Sequence, residues 1–225
     1  MEVGGAEMLV ASLCRLQRRQ GHAPSVHCLF RLGPLGEQLR AEGFPVVLHG
    51  PGSRLSLMAS LYRSFRRFHV RAVHCHNATA VIYGFLPGRL QGARSLVGTR
   101  HGLVPPPYSR RRAWPFWASV RLTRGHVAAV CETARGNLAG SPWADTARLV
   151  TIYNGIEEPS SVPVPVEKSG FTLVTVGRMV EAKDHASLLK AVSIARDAVA
   201  DLKVWLVGAG VLEPELRRLA EELGL

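Results

Sequence analysis

The stretch LVTVGRMVEAKDH, residues 173–185, decides how this chain is read. It opens as an apolar run with β-branched residues, turns on Gly177, places Arg178 next, and puts Lys183 five residues further on. The run ending at Val176 predicts a buried strand of a parallel sheet, over 171–176. In open α/β sheets, ligands sit beyond the carboxyl ends of the strands. Gly177 lets the chain turn there. Arg178 offers a planar donor fork suited to phosphate, and Lys183 a point charge for a second oxygen. Together they suit a clamp on a diphosphate, offsetting the charge that builds as it leaves. The alternative is a solvated arginine and lysine on a loop. Placement behind a strand-end glycine favours function.

Outward from this stretch the alternation continues. A helix is predicted over 186–199, a strand over 202–207 and a helix over 212–223. Val207-Gly208-Ala209-Gly210 ends its strand in the same manner, and two glycines there allow close approach of a base or ribose. Upstream, EEPSSVPVPVEKSG (157–170) has three prolines and no helical period, so residues 156–170 read as a linker. Before it, strands are predicted over 25–30, 45–49, 72–76, 95–99, 126–131 and 149–153. Helical patterns lie between them: one on Ala6, Leu9, Val10, Leu13 and Leu16, others over 35–42, 55–68, 78–90, 112–122 and 133–139. Strand–helix alternation predicts an α/β fold with parallel sheets covered on both faces. The expected organisation is an N-terminal Rossmann-like domain over 1–155 and the start of a second over 171–225. Two strands and two helices are few for a settled doubly wound domain. A glycine turn that opens a helix usually follows a strand, so both ends look cut from something longer.

Composition sets the outer limits. The chain has 225 residues and a net charge of +11. Residues 1–150 hold 20 basic and 6 acidic residues, for +14; residues 151–225 hold 8 and 11, for −3. A basic first half suits nucleic acid, anionic lipid or a phosphorylated substrate, or else is a solvated arginine-rich surface. Cys14, Cys28, Cys75 and Cys131 have no C-x-x-C spacing and suit free thiols in a reducing compartment. No apolar run is long enough to span a bilayer, and the first twenty residues lack a signal-peptide pattern. The expectation is a cytoplasmic protein.

Further groups carry chemistry. Gly4-Gly5-Ala6-Glu7 pairs a glycine turn with a helix start, a combination that suits phosphate; the alternative, which two glycines alone favour, is an ordinary glycine turn. In Thr99-Arg100-His101-Gly102, His101 at a strand end can donate to a sugar hydroxyl or a developing charge. His74 and His76 flank Cys75, but no further ligand lies at metal spacing, so no metal is expected. G-x-S-x-G, Walker and H-E-x-x-H patterns are absent.

In order, these pieces resemble the family-4 retaining glycosyltransferases of the GT-B fold. The resemblance rests on Gly4-Gly5-Ala6-Glu7, Gln20-Gly21-His22, Val73-His74-Cys75-His76, Thr99-Arg100-His101-Gly102, VTIYNGI (150–156), Val176-Gly177-Arg178 with Lys183, and LVGAG (206–210). It implies two Rossmann-like domains, the first on the acceptor side and the second binding a nucleotide-diphosphate sugar. It implies that Arg178 and Lys183 hold the diphosphate, that Gly4 and Gly5 approach the phosphates, and that Gly208 lies at the donor. His101 would contact the donor sugar near the reacting carbon, with no metal or other cofactor. The family also carries a pair of glutamates later in the second domain and a strand before the glycine loop. The chain ends before the first and begins after the second; Glu213, Glu215, Glu221 and Glu222 do not replace the pair. Weak or no catalysis is therefore expected of these residues alone, and the alternative is a non-catalytic GT-B-like binding module.

The acceptor is a glycan or a lipid-linked glycan by the same resemblance. GLVPPPYSRRRAWPFWASVRL (102–122) sets three arginines beside Trp114, Phe116 and Trp117, and Arg63, Arg66 and Arg67 lie near Phe65 and Phe68. Arginines with aromatics suit peripheral contact with an anionic membrane on its cytoplasmic face. The alternative is that the aromatics fill core while the arginines meet water. An epimerase of the same fold is a third reading. No motif for nucleic-acid binding accompanies the charge, so no nucleic-acid partner is expected.

Overall fold

A computed structural model describes residues 4–104, 109–156, 170–199 and 201–225. Most of the expected linker, 157–169, and the prolines at 105–107 lie outside the described residues. The chain divides into two compact units, Met1–Glu158 and Pro159–Leu225.

The first unit alternates as the sequence predicts: α1 (Gly5–Arg19), β1 (Val26–Cys28), α2 (Pro34–Ala41), β2 (Val46–Leu48), α3 (Arg54–Arg67), β3 (Ala72–His76), α4 (Ala78–Leu90), β4 (Ser95–Arg100), α5 (Arg110–Thr123), β5 (His126–Ala129), α6 (Glu132–Ala139) and, after a single 3-10 turn, β6 (Leu149–Thr151). Strands β3-β4-β5-β6 form one parallel sheet in chain order, while β1 and β2 form a separate parallel pair.

Local chemistry sets several of these elements. Ser53 caps α3 by accepting from the Ser56 N–H at 3.1 Å, and the Cys131 thiol accepts from the Ala134 N–H at the start of α6. Helix α4 is apolar nearly all round, as expected of a helix packed on several sides, although Leu86 and Leu90 stay exposed. It lies against β3 and β4 and between α3 and α5. Val81 and Phe85 from α4 are fully buried, and they join Leu61 of α3, Leu96 of β4, Val127 of β5 and Val120 of α5 in the main core.

Phe116 and Trp117 belong to this core as well, with 5% and 1% exposure, and Phe65 is equally buried. For these three aromatics the core reading holds and the membrane reading does not. Helical spacing turns Trp114 away, and it stays 57% exposed. The Trp117 indole N–H donates to Ser141 Oγ at 3.0 Å, so its one polar group is satisfied inside.

A smaller core of Ala11, Cys14, Val26, Cys28, Leu39 and Phe44 joins α1 and α2 to the β1–β2 pair. Arg15 grips Glu42 with two donors, Nε to Oε2 at 2.8 Å and Nη2 to Oε1 at 2.6 Å. This bond ties α1 to the end of α2, and it holds the Glu42 carboxyl below its ordinary range.

The second unit comprises β7 (Thr172–Val176), a 3-10 turn (Glu181–Lys183), α7 (His185–Ala195), β8 (Lys203–Val207) and α8 (Glu213–Glu222), with β7 and β8 parallel. Helix α7 stops at Ala195, short of the expected 199. Arg196 instead donates to the Leu223 and Gly224 carbonyls at 3.0 and 2.8 Å, satisfying groups that the end of α8 leaves open. Met179, Leu189 and Leu216 form the core on the helix side. The opposite face of the strand pair carries Val174, Val176, Trp205 and Val207, each about half exposed or more. Among the described residues, no helix is long and apolar enough to cross a membrane.

Replacing Trp117 by alanine empties the middle of the main core. A loss of about 3–5 kcal/mol is expected, read as a lower urea midpoint at unchanged slope. A shift under about 1 kcal/mol would show that this core is looser than its burial implies.

Candidate functional site

Strands β3 and β4 pair in register, with His76 opposite Thr99. The chain leaving β4 therefore carries His101 past the end of β3, back toward His76. The two imidazoles meet side by side: His76 Nδ1 lies 2.9 Å from His101 Nε2, with ring centroids 5.2 Å apart and planes within 17°. His74 projects from the same strand face as His76, with its ring centroid 4.2 Å away and its Nε2 2.7 Å from Thr99 Oγ1. Period-two alternation along β3 makes this triplet possible, because His74 and His76 share a face while Cys75 points into the core.

The electrostatics keep these rings neutral. Burial first, then the neighbouring histidines, lowers His76 to about 3. Burial and His101 lower His74, and burial lowers His101 despite the opposing pull of Glu7. Glu7 sits in the first turn of α1, so its influence brings the Gly4-Gly5 turn to the same end of the sheet as His101. A side chain at Gly5 would meet no other atom, so the fold itself makes no steric demand for glycine there. Arg100, the residue before His101, has its Nε buried without a hydrogen-bond partner among the described residues. Burial also lowers the pKa of its guanidinium. No group of three or more His, Cys, Asp or Glu side chains among the described residues is arranged to hold a metal ion.

The second cluster lies in the second unit. Beyond β7 the backbone stays bonded to the chain leaving β8: Gly177 N–H donates to Val207 at 2.9 Å, and Met179 N–H to Ala209 at 2.9 Å. Gly208 has a φ of +150° and packs backbone to backbone against Gly177, where a Cβ would collide with the Gly177 carbonyl. Glycine is therefore required at 208 by the fold alone. The chain then tightens into the 3-10 turn, and Asp184 takes the left-handed conformation (φ 49°) to start α7. This fold-back lays the Lys183 stem over Gly177: a Cβ there would be 3.7 Å from Lys183 Cγ, Cδ and Cε. Arg178 and Lys183 both lie in this loop beyond β7 and are exposed, and neither has an ionic partner among the described residues.

The sequence-predicted residues thus form two groups. Gly4, Gly5 and His101 belong to the first unit; Arg178, Lys183 and Gly208 belong to the second. Sequence reasoning missed the His76–His101 pair, having weighed His74 and His76 as metal ligands and as a strand end within the resemblance. Aligning the ends of neighbouring parallel strands would have brought the two together.

Two units of parallel strands alternating with helices fit the GT-B fold, and solved glycosyltransferases superpose on the chain. The profile of Glycosyltransferase Family 4 matches residues 3–158, and the chain belongs to that family. A solved glycosyltransferase from Rickettsia africae superposes with a TM-score of 0.79 at 19% identity, over 99% of this chain and 62% of its own. HepE of Anabaena, solved with UDP and with UDP-glucose, gives 0.74 at 17% identity in the UDP complex, over 99% and 64%. The lipopolysaccharide outer core galactosyltransferase WaaB gives 0.60 at 13%, over 99% and 62%. The chain spans less than two thirds of the length of these structures. Comparison with functionally characterised sequences returns no match.

A third histidine pair lies away from these ends. His27 Nδ1 is 3.1 Å from His49 Nε2, and His49 Nδ1 is 2.8 Å from Ser60 Oγ. Burial, then the charge of His49, lowers His27 to about 4. Folding thus holds His27 and His76 neutral well below the ordinary value of 6.5. The unfolded chain therefore takes up protons first as pH falls. Stability is complete above 6.5 and is lost through the window from 6.5 toward 4 and 3. The limiting slope is about 1.4 kcal/mol per pH unit for each such histidine. The melting temperature should drop steadily between pH 7 and 4.5; a flat profile would show that these rings are not held neutral.

Proposed function

We propose that the protein transfers a sugar from a nucleotide-diphosphate donor to a glycan or lipid-linked acceptor, with retention at the anomeric carbon. One observation carries this reading: Arg178 and Lys183, two exposed cations with no ionic partner among the described residues, follow the carboxyl end of a parallel strand in a chain of this family. The UDP complexes of HepE and the outer-core activity of WaaB support the choice of donor and acceptor class.

In the reaction, the bond between the sugar and the diphosphate breaks and the leaving nucleotide gains negative charge. Arg178 grips phosphate oxygens with its fork, and Lys183 holds another as a point charge. Both interactions strengthen as the charge develops, so they lower the barrier rather than merely binding the donor. The glycines at 4 and 5 leave the first N–H groups of α1 open to phosphate. Gly208 keeps the loop beside the donor base and ribose bare of side chain. His101 contacts the donor sugar near the reacting carbon. Its surroundings hold it neutral, so it offers a hydrogen bond there without adding a full positive charge. The two cations do the charge stabilisation that a metal ion does elsewhere.

The acceptor side faces an anionic membrane in this reading. Arg110 lies over the Trp143 ring at 5.0 Å, and these two residues line a shallow groove with Arg111 and exposed Trp114. Indole rings flanked by guanidinium groups suit the headgroup layer on the cytoplasmic face.

Calorimetric titration with UDP tests the clamp. Arg178→Ala and Lys183→Ala should each weaken binding about tenfold or more, as expected for a lost charge-assisted hydrogen bond. Unchanged affinity in both variants would remove the clamp. Donor screening starting from UDP-glucose, with the product's anomeric configuration read by NMR, tests transfer and retention. Vesicle flotation tests the membrane: binding should require anionic lipid, weaken with salt and fall in Trp114→Ala. Equally poor binding to neutral and anionic vesicles would exclude that surface.

A further inference from the structure

We propose that His76 is a positioning residue for His101, occupying its Nε2 and holding its ring in one orientation so that Nδ1 is the atom presented to a ligand. The inference deepens the reading of His101 as the histidine that meets the donor sugar, and rests on it for its purpose, though not for its geometry.

Three observations carry it. The 2.9 Å approach of His76 Nδ1 to His101 Nε2 is a hydrogen bond between two imidazoles. A neutral imidazole has one donor and one acceptor nitrogen, so the pair must share a single proton between these two atoms. If His76 donates, His101 carries its own proton on Nδ1. If His101 donates, its Nδ1 is a bare acceptor. In both cases Nε2 is occupied and only Nδ1 remains for a ligand. Second, His76 is itself fixed. It sits on a strand in register with β4, its ring leans on His74, and His74 is anchored on Thr99 Oγ1 at 2.7 Å. Third, a doubly protonated pair is disfavoured, because two imidazolium rings at this distance would repel and no acceptor nitrogen would remain. The charged groups bearing on His101 are Glu7 from α1 and Arg100 beside it, and those bearing on His76 are the imidazoles of His74 and His101.

The chain tests this directly when labelled with ¹⁵N-histidine. In long-range proton–nitrogen spectra at pH 7, a nitrogen–nitrogen coupling across the hydrogen bond should link His76 Nδ1 to His101 Nε2. Absence of this coupling would overturn the proposal. His76→Phe keeps a ring of similar size without nitrogen, and should free His101 Nε2 and move its nitrogen shift. His76→Asn sets an amide near the position of Nδ1, able to donate or accept, and should return that shift toward its original value. An unchanged Nε2 shift in His76→Phe would also overturn it. Should His76→Phe fail to fold, the coupling in the unaltered chain decides. The two readings fail separately: equal affinity for UDP-glucose in the unaltered protein and His101→Ala would sink the role of His101 and leave the coupling intact. A missing coupling would sink the role of His76 whatever the affinity.

Discussion

Five backbone pairings between β3 and β4, from Ala72 with Ser95 to His76 with Thr99, determine where much of the first unit can go. A parallel ladder in register makes both strands finish at the same height. Inward residues of the two strands, Val73, Cys75 and Leu96, then meet α4 and build the core. Outward residues leave the sheet at one edge, where His74, His76, Thr99 and His101 find one another. The same register therefore serves packing on one face and chemistry at the end. A slip of one residue would exchange the two sets.

In the second unit the constraint is tighter, because backbone touches backbone. Gly177 and Gly208 let β7 and β8 continue as bonded neighbours beyond the last strand residues. The loop carrying Arg178 is thereby held at a height fixed by the other strand. The 3-10 turn and the left-handed Asp184 then bring Lys183 back over Gly177. Lys183 is thereby brought back to the glycine that precedes Arg178.

Much of the α/β order was legible in the sequence because apolar runs and helical stripes alternate clearly; α4 runs over the residues its pattern predicts, Ala78–Leu90. Strand ends were less legible. The pattern at 25–30 extends beyond the three bonded residues Val26–Cys28, because apolar character persists where the ladder has stopped. Residues that announce themselves locally lie where the sequence pattern puts them: Gly177, Arg178 and His101 follow strand ends, and Lys183 closes the turn before α7. What depends on register was not found. The His76–His101 contact joins residues 25 apart, and the His27–His49 contact joins residues 22 apart. Neither has a local pattern. The aromatics of α5 were ambiguous for a related reason. Which of Trp114, Phe116 and Trp117 faces inward depends on how the helix is rotated against the sheet.

The strand pair β7–β8 is covered by helices on one face only, and Val174, Val176, Trp205 and Val207 line the other. Among the described residues each of the two strands also has one edge without a strand partner. An apolar face next to such edges is a surface on which a further strand or a second apolar surface can settle.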